Sequence, residues 1–380
     1  MKQKLSVAPT LKNYDKKNLP KDILAGIIIM AVSIPISMGY AQISGLPAVY
    51  GLYGSVFPII LFALFSTSPQ FIFGVDAAPA ALVGAAVLGM GIEAGSKEAM
   101  TVVPVFTFFV ALWLLAFYFM NAGKLVNYIS APVMGGFITG ICTTIILMQV
   151  PKLMGSAAGT GELFELSEHI WEALHHINAA ALVMGIVALA ILVVSKRLVP
   201  KFPMAVVLMV TGALFTYFGP VKEWGVPTLS AVEPGMPRWY IPDFEAVFSV
   251  QKASEVIVLS LSVAVVIMAE TLLAENNFAQ KNGYRIDDNT ELLAFSIGNM
   301  AAAFTGCCPI NGSVSRTAMS EQYEGKTQLT GLVAGVSMIA VLLFCTGFIG
   351  YLPVPVLTAI VISAPVSYTH LRAHETSLHL

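Results

Sequence analysis

The chain repeatedly runs for close to twenty residues without a single charge. Ile23–Ile43 and Val102–Met120 are such runs, and Ala179–Val194 and Val256–Met268 are shorter versions. A soluble core does not need them. A helix crossing the roughly 30 Å hydrocarbon layer does, because it needs about 20 apolar residues. Charged residues make up only 11% of the 380 and hydrophobic ones 57%, whereas an ordinary globular domain carries about 25% charge. The fold class is therefore an all-α polytopic membrane protein. A net charge of −2 gives no reason to expect a nucleic-acid partner. Met1–Lys21 is polar and lysine-rich, and the first apolar run is too long for the core of a cleavable signal, so none is expected.

Spans are predicted at 23–44, 48–65, 76–92, 101–120, 126–150, 179–195, 203–219, 254–274, 290–304, 312–321 and 328–347, with a twelfth beginning near 354. With the N-terminus in the cytoplasm, thirteen basic residues from Lys2 to Lys326 fall in inner segments. Five fall outside, namely Lys97, Lys152, Lys222, Arg238 and Lys252. That bias follows the positive-inside rule and suits a cell (inner) membrane protein. The outer segment after the fifth span carries His169, His175 and His176 among glutamates and reads as a solvated amphipathic stretch.

The third and tenth spans are short and punctuated by Gly and Pro. One follows Gly74-Val75-Asp76-Ala77-Ala78-Pro79, the other Pro309-Ile310-Asn311-Gly312, and strand-like residues precede them at Gln70–Phe73 and Ala303–Thr305. Asp76 lies 53 residues after Ile23, and Ser313 lies 59 after Ser254. Interrupted segments at matching places in two halves point to the binding site of an inverted-repeat transporter. The expected architecture is a 7+7 inverted repeat with two broken half-helix spans whose N-termini meet. Residues 1–22 form a cytoplasmic segment, 23–220 the first repeat, 221–253 an outer connection and 254–364 an incomplete second repeat. The tail 365–380 reads as an artefact. Its His374-Glu375 and His379 miss the spacing that would put both histidines on one helical face around zinc. Cys142, Cys307, Cys308 and Cys345 lack CxxC spacing and read as small buried hydrophobes.

Arg316 falls in the first turn of the tenth span, where the helix already carries about half a positive charge. Burying a guanidinium there is unfavourable unless an anion sits at the helix end. The backbone N–H groups of Ser313, Val314, Ser315 and Arg316, with the two serine hydroxyls, would then be its donors. Alternatively, Arg316 reaches the surface or only pairs with a carboxylate. Asp76, followed by Ala77 and Ala78, is a natural N-cap and also a carboxylate opposite Arg316 if the half-helices meet. Glu270 either faces the membrane interface or, inside the bundle, carries a proton. Glu275 and Glu291 read as interfacial. Asp76, Glu270 and Arg316 sum to −1 (−1 −1 +1), so an anion should enter more readily once one carboxylate is protonated. This makes a proton, or alternatively sodium, the expected coupling ion.

Two groups of residues resemble the SulP family of anion transporters and exchangers. The first comprises Asp22-Ile23-Leu24-Ala25-Gly26, Ile34-Pro35, Tyr40-Ala41, Gly45-Leu46-Pro47 and Tyr50-Gly51-Leu52-Tyr53, continued by Pro58 and Leu64–Ser68. The second comprises Glu270-Thr271-Leu272-Leu273, Asn289-Thr290-Glu291-Leu292, Asn299-Met300-Ala301-Ala302 and Pro309–Ala318. The resemblance covers roughly residues 10–364. It implies core and gate domains, elevator-like alternating access, and an anion held between the third and tenth spans. It further implies that Ser315 and Arg316 contact the anion, that Tyr40 lines the pocket, and that Glu270 is the acidic position tied to proton coupling. The chain departs from many members at Val75 and Asp76, and from many eukaryotic ones at Ile36. It also lacks the C-terminal STAS domain that usually follows, which accords with an incomplete second repeat.

The expected function is secondary active transport of a sulfate-, bicarbonate- or dicarboxylate-class anion, without a cofactor, bound metal or enzymatic activity. The lipid bilayer is the expected surroundings, and a homodimer is compatible with such a chain. A nucleobase–cation symporter of the same architecture would favour acidic or amide residues where this chain has Ser-Val-Ser-Arg. A membrane scaffold or sensor would be indifferent to Arg316.

Overall fold

The computed structural model describes residues 7–12, 14–124, 131–157, 163–199, 202–249 and 253–363. The tail with His374, Glu375 and His379 lies outside them, as do Lys2, Lys4, Lys201 and Lys252. The helices are α1 (Leu19–Ile43), α2 (Val49–Gly54), α3 (Phe57–Phe65), α4 (Ala77–Gly89), α5 (Lys97–Phe119), α6 (Ala131–Leu153), α7 (Leu163–His175), α8 (Ala179–Leu198), α9 (Met204–Phe218), α10 (Phe244–Ser249), α11 (Ala253–Asn282), α12 (Asp288–Phe304), α13 (Val314–Gln322), α14 (Leu329–Phe344) and α15 (Val354–Ser363). Among them α1 with its lead-in, α5, α8 and α11 are long and apolar enough to cross a bilayer. Side chains such as Val183, Ile186, Val187 and Val194 on α8, and Leu214 and Phe218 on α9, are exposed. Apolar surface of that extent suits lipid rather than water.

Several boundaries differ from the sequence reading. The second span is two helices, α2 and α3, broken at Ser55-Val56, with Pro58 in the first turn of α3. Helix α11 continues two turns past the predicted end, through polar Glu275–Asn282. Helix α7 is amphipathic, as expected: Leu166 and Ala173 are buried, whereas Glu165, Glu168, Glu172 and His175 are exposed. Cys307 and Cys308 are buried, as expected, but Cys345 is exposed just after α14.

Helix α1 is the hub, packing on α2, α4, α9, α13 and α14. Two glycines allow backbone-to-backbone approach. A Cβ on Gly51 would lie 2.0 Å from the Ser37 carbonyl oxygen, and one on Gly84 would lie 2.1 Å from that of Ile43. Asp22 is fully buried at the start of α1. Its carboxylate accepts from Tyr14 Oη (3.0 Å), Lys326 N (2.6 Å) and Thr327 Oγ1 (2.8 Å), which ties α1 to the turn between α13 and α14. Glu291 does the same for α12. It accepts from Ser66 Oγ (2.8 Å), Thr67 N (2.5 Å) and Ser68 N (3.2 Å). Both Glu275 and Glu291 are fully buried, so the interfacial reading of these two fails. Neighbouring helices and the 66–68 turn cover them, which no pattern along one helix reveals.

Two short strands sit among these helices. β1 (Phe73–Gly74) pairs antiparallel with β2 (Asn311–Gly312), with Phe73 opposite Gly312 and Gly74 opposite Asn311. β1 falls close to the expected place. The expected strand at Ala303–Thr305 is instead the end of α12, because its alanines favour helix; the chain turns at Gly306 (φ 77°) and extends only before α13. Phe73 stacks between Phe62 (4.6 Å) and Phe295 (5.3 Å), which seats β1 on α3 and α12. The buried backbone is satisfied by side chains. Asn299 brackets Ile310 through both N–H (2.9 Å) and C=O (3.1 Å), Thr317 Oγ1 accepts from Ile72 N (2.9 Å), and Gln328 Nε2 donates to Ser68 O and Phe71 O (both 2.8 Å).

Candidate functional site

Because β1 leads into α4 and β2 into α13, the antiparallel pair sets the two helix N-termini beside each other. Asp76 is the N-cap of α4, its carboxylate accepting from Ala77 N at 2.7 Å. Ser313 is the N-cap of α13 but makes no side-chain capping bond; its hydroxyl lies 3.3 Å from that of Ser315. The first turn of α13 therefore keeps backbone donors that its own cap does not use.

Arg316 is 0% exposed. It does not reach a surface. Its Nη2 donates to Val75 O (2.7 Å) and lies 3.5 Å from Asp76 Oδ2, and its Nη1 lies 3.4 Å from Ser33 Oγ on α1. The guanidinium thus spans β1, α4 and α1, while its buried Nε has no hydrogen-bond partner. Gly74 makes room for it, since a Cβ there would come within 3.1 Å of Nη1. Tyr40 is buried on α1. Ala78 is buried, whereas Asp76, Ala77, Val314 and Ser315 are partly open.

Glu270 is half-buried on α11 and reaches the site through one intermediary: Asn311 Nδ2 in β2 donates to its Oε2 at 2.7 Å. Thr271 donates to Asn311 Oδ1 and accepts from Gly312 N at 3.2 Å. Asp76 and Arg316 are thus in contact, and Glu270 connects to the strand pair through an amide. The sequence reading passed over Ser33, Thr271 and Asn311 as site residues. The available signal was a hydroxyl within an apolar helix and an amide two residues before a helix cap.

A cavity of about 270 Å³ adjoins the site. It runs along α13 from Val314 and Ser315 to Gln322 and Tyr323, walled by Val32 and Ile36 of α1, by α8 and α9, and by Ile360 and Ser363 of α15. Lys196 stands at its α8 end, donating to Ser363 O at 2.8 Å. Among the described residues no group of three His, Cys, Asp or Glu side chains could hold a metal ion.

Comparison with known proteins adds three findings. The model of the sulfate permease family matches residues 19–374. A probable sulfate transporter of Mycobacterium tuberculosis is 27% identical over 353 residues, covering 93% of this chain and 62% of the relative. Sulfate transporter 3.2 of Arabidopsis thaliana is 27% identical over 381 residues, with coverage of 97% and 58%. The chain thus spans about three fifths of these relatives' length. Two solved structures share the fold. The transmembrane domain of a cyanobacterial bicarbonate transporter has TM-score 0.81, 20% identity and coverage of 93% and 90%. A murine Solute Carrier 26 family member A9 anion transporter in the inward-facing state has TM-score 0.82, 23% identity and coverage of 93% and 61%.

Proposed function

Because this chain belongs to the sulfate permease family, we propose that it is a secondary active transporter of a small anion of the sulfate, bicarbonate or dicarboxylate class. The observation that carries the reading is Arg316, a fully buried cation in the first turn of a helix whose cap leaves its backbone donors unused. Cation and helix dipole repel each other there, and an anion between α4 and α13 offsets both. Donors to it are the hydroxyls of Ser313 and Ser315, the N–H groups of Val314 and Ser315 and of Ala78, and the guanidinium. Tyr40 contributes from α1. The sulfate and bicarbonate transport after which these similar proteins are named supports this class of substrate.

The coupling ion is a proton carried by Glu270. Asp76 is already committed to Arg316 and to the end of α4, whereas Glu270 faces the Asn311 amide. Access is elevator-like within a 7+7 repeat. α1–α5 with α11–α14 form the moving core, and α6, α8, α9 and α15 belong to the gate. The cavity beside Ser315 supports a conformation open to one side, and Lys196 and Arg197 at the end of α8 mark that side as cytoplasmic. On the other side α1 closes on α15, where a Cβ on Gly39 would lie 2.9 Å from Val361 Cγ2. The protein sits in the cell membrane with its N-terminus in the cytoplasm.

Uptake into proteoliposomes of sulfate, bicarbonate, chloride and a dicarboxylate tests the class. Saturable uptake of at least one anion, unaffected by uracil, is expected. Competition by uracil would favour nucleobase transport, and absence of flux for every solute would favour a scaffold.

A further inference from the structure

A second buried cation lies on the far side of the α1–α15 contact. Lys152, in the last turn of α6, is only 8% exposed, and its Nζ donates to Gln42 Oε1 of α1 at 2.8 Å. The expected topology puts this lysine in an outer segment. Instead it lines a small pocket of about 20 Å³ together with Pro35, Gly39, Gln42, Gln149 and Val361. No carboxylate lines that pocket. Gln149 is 1% exposed, and its Nε2 is a buried donor without a partner. An ammonium buried against one neutral amide, next to an orphaned amide N–H, is costly for a protein to keep. The volume accommodates one species about the size of a water molecule.

We propose that Lys152, Gln149 and Gln42 form a second anion site, selective for a small monovalent anion of halide size. The orphaned Gln149 N–H, beside an ammonium whose one partner is a neutral amide oxygen, points to a ligand with lone pairs. The uncompensated positive charge selects an anion over water, and the volume excludes a sulfate or a dicarboxylate from fitting whole. The same helix links the two sites. Ser33 touches Arg316 and Gln42 touches Lys152, nine residues apart on α1, which is about 14 Å along a helix axis. Lys152 also bridges α6 to α1, across the surface where gate and core would slide. An anion there would compete with Gln42 for the ammonium and loosen that bridge. Such a loosening of the contact between gate and core rests on the transport reading; the binding site itself does not.

Crystals of the protein soaked in sodium bromide and measured at the bromine absorption edge test the site. The expected result is an anomalous peak in contact with Lys152 Nζ and Gln149 Nε2. It should be present in the wild type and in Arg316→Ala, weaker in Gln149→Leu and absent in Lys152→Met. A wild-type map without bromide at Lys152 overturns the proposal. So does a peak that survives Lys152→Met at full height, which marks an adventitious ion only. If Lys152→Met does not fold, Gln149→Leu decides, and an undiminished peak there overturns the three-residue site. Failure of the transport reading looks different: no anion is taken up at all, while bromide still occupies Lys152.

Discussion

Replacing Arg316 with alanine is expected to lower anion uptake about a hundredfold or more, because it removes a charged donor from a site shielded from water. Two effects combine. The anion loses its guanidinium, and Asp76 is left as an unopposed carboxylate at the same place, since its partner at 3.5 Å is gone. Arg316→Lys should recover only part of the activity. A lysine keeps the charge but cannot hold Val75 O, Asp76 and Ser33 together as the planar guanidinium does. Breaking a buried ion pair also costs stability, on the order of 3 kcal/mol. Thermal unfolding in detergent should therefore accompany the uptake assay, and Arg316→Gln, which retains a donor to Val75 O, separates the two losses. A folded Arg316→Gln with wild-type uptake would remove Arg316 from the site.

The second large effect concerns protons. With Asp76, Glu270 and Arg316 ionised the site carries −1, and with Glu270 protonated it carries zero. Uptake should therefore rise as the pH falls on the side from which the anion enters. Glu270→Gln should abolish this dependence and fix the rate near its acidic value, because glutamine mimics the protonated acid and keeps an oxygen for Asn311 Nδ2. Asp76→Asn should act differently. It releases Arg316 from its ion pair, so the half-saturating anion concentration should fall while the response to a proton gradient persists. If Glu270→Gln keeps the gradient response, Glu270 is not the proton carrier, and a wild type without any response excludes proton coupling.

The membrane-spanning frame was legible because the bilayer imposes long uncharged runs, and α1, α5, α8 and α11 fall where those runs are. The two broken spans were legible for the opposite reason. Gly74-Val75-Asp76 and Asn311-Gly312-Ser313 interrupt the apolar pattern, and these interruptions are the strands and caps that bring Asp76 to Arg316. What escaped was burial created by neighbours distant in sequence. Glu291 looks like a surface acid at the start of α12 until the turn at Ser66–Ser68 folds over it. Lys152 looks like a loop charge until Gln42 meets it from α1. The polar end of α11 reads as extramembrane chain, yet the helix continues through it to Asn282. Asn311 was in plain view, but only the strand pairing shows that it joins Glu270 to the site.

The central claim is that an anion rests between the N-termini of α4 and α13. A difference map between the protein saturated with a transported anion and the anion-free protein tests it most directly. The account predicts density bounded by the backbone of Ala77–Ala78, the Ser315 hydroxyl and the Arg316 guanidinium, and none there in Arg316→Ala. Saturation with the anion located elsewhere, and both helix ends unchanged, would contradict it.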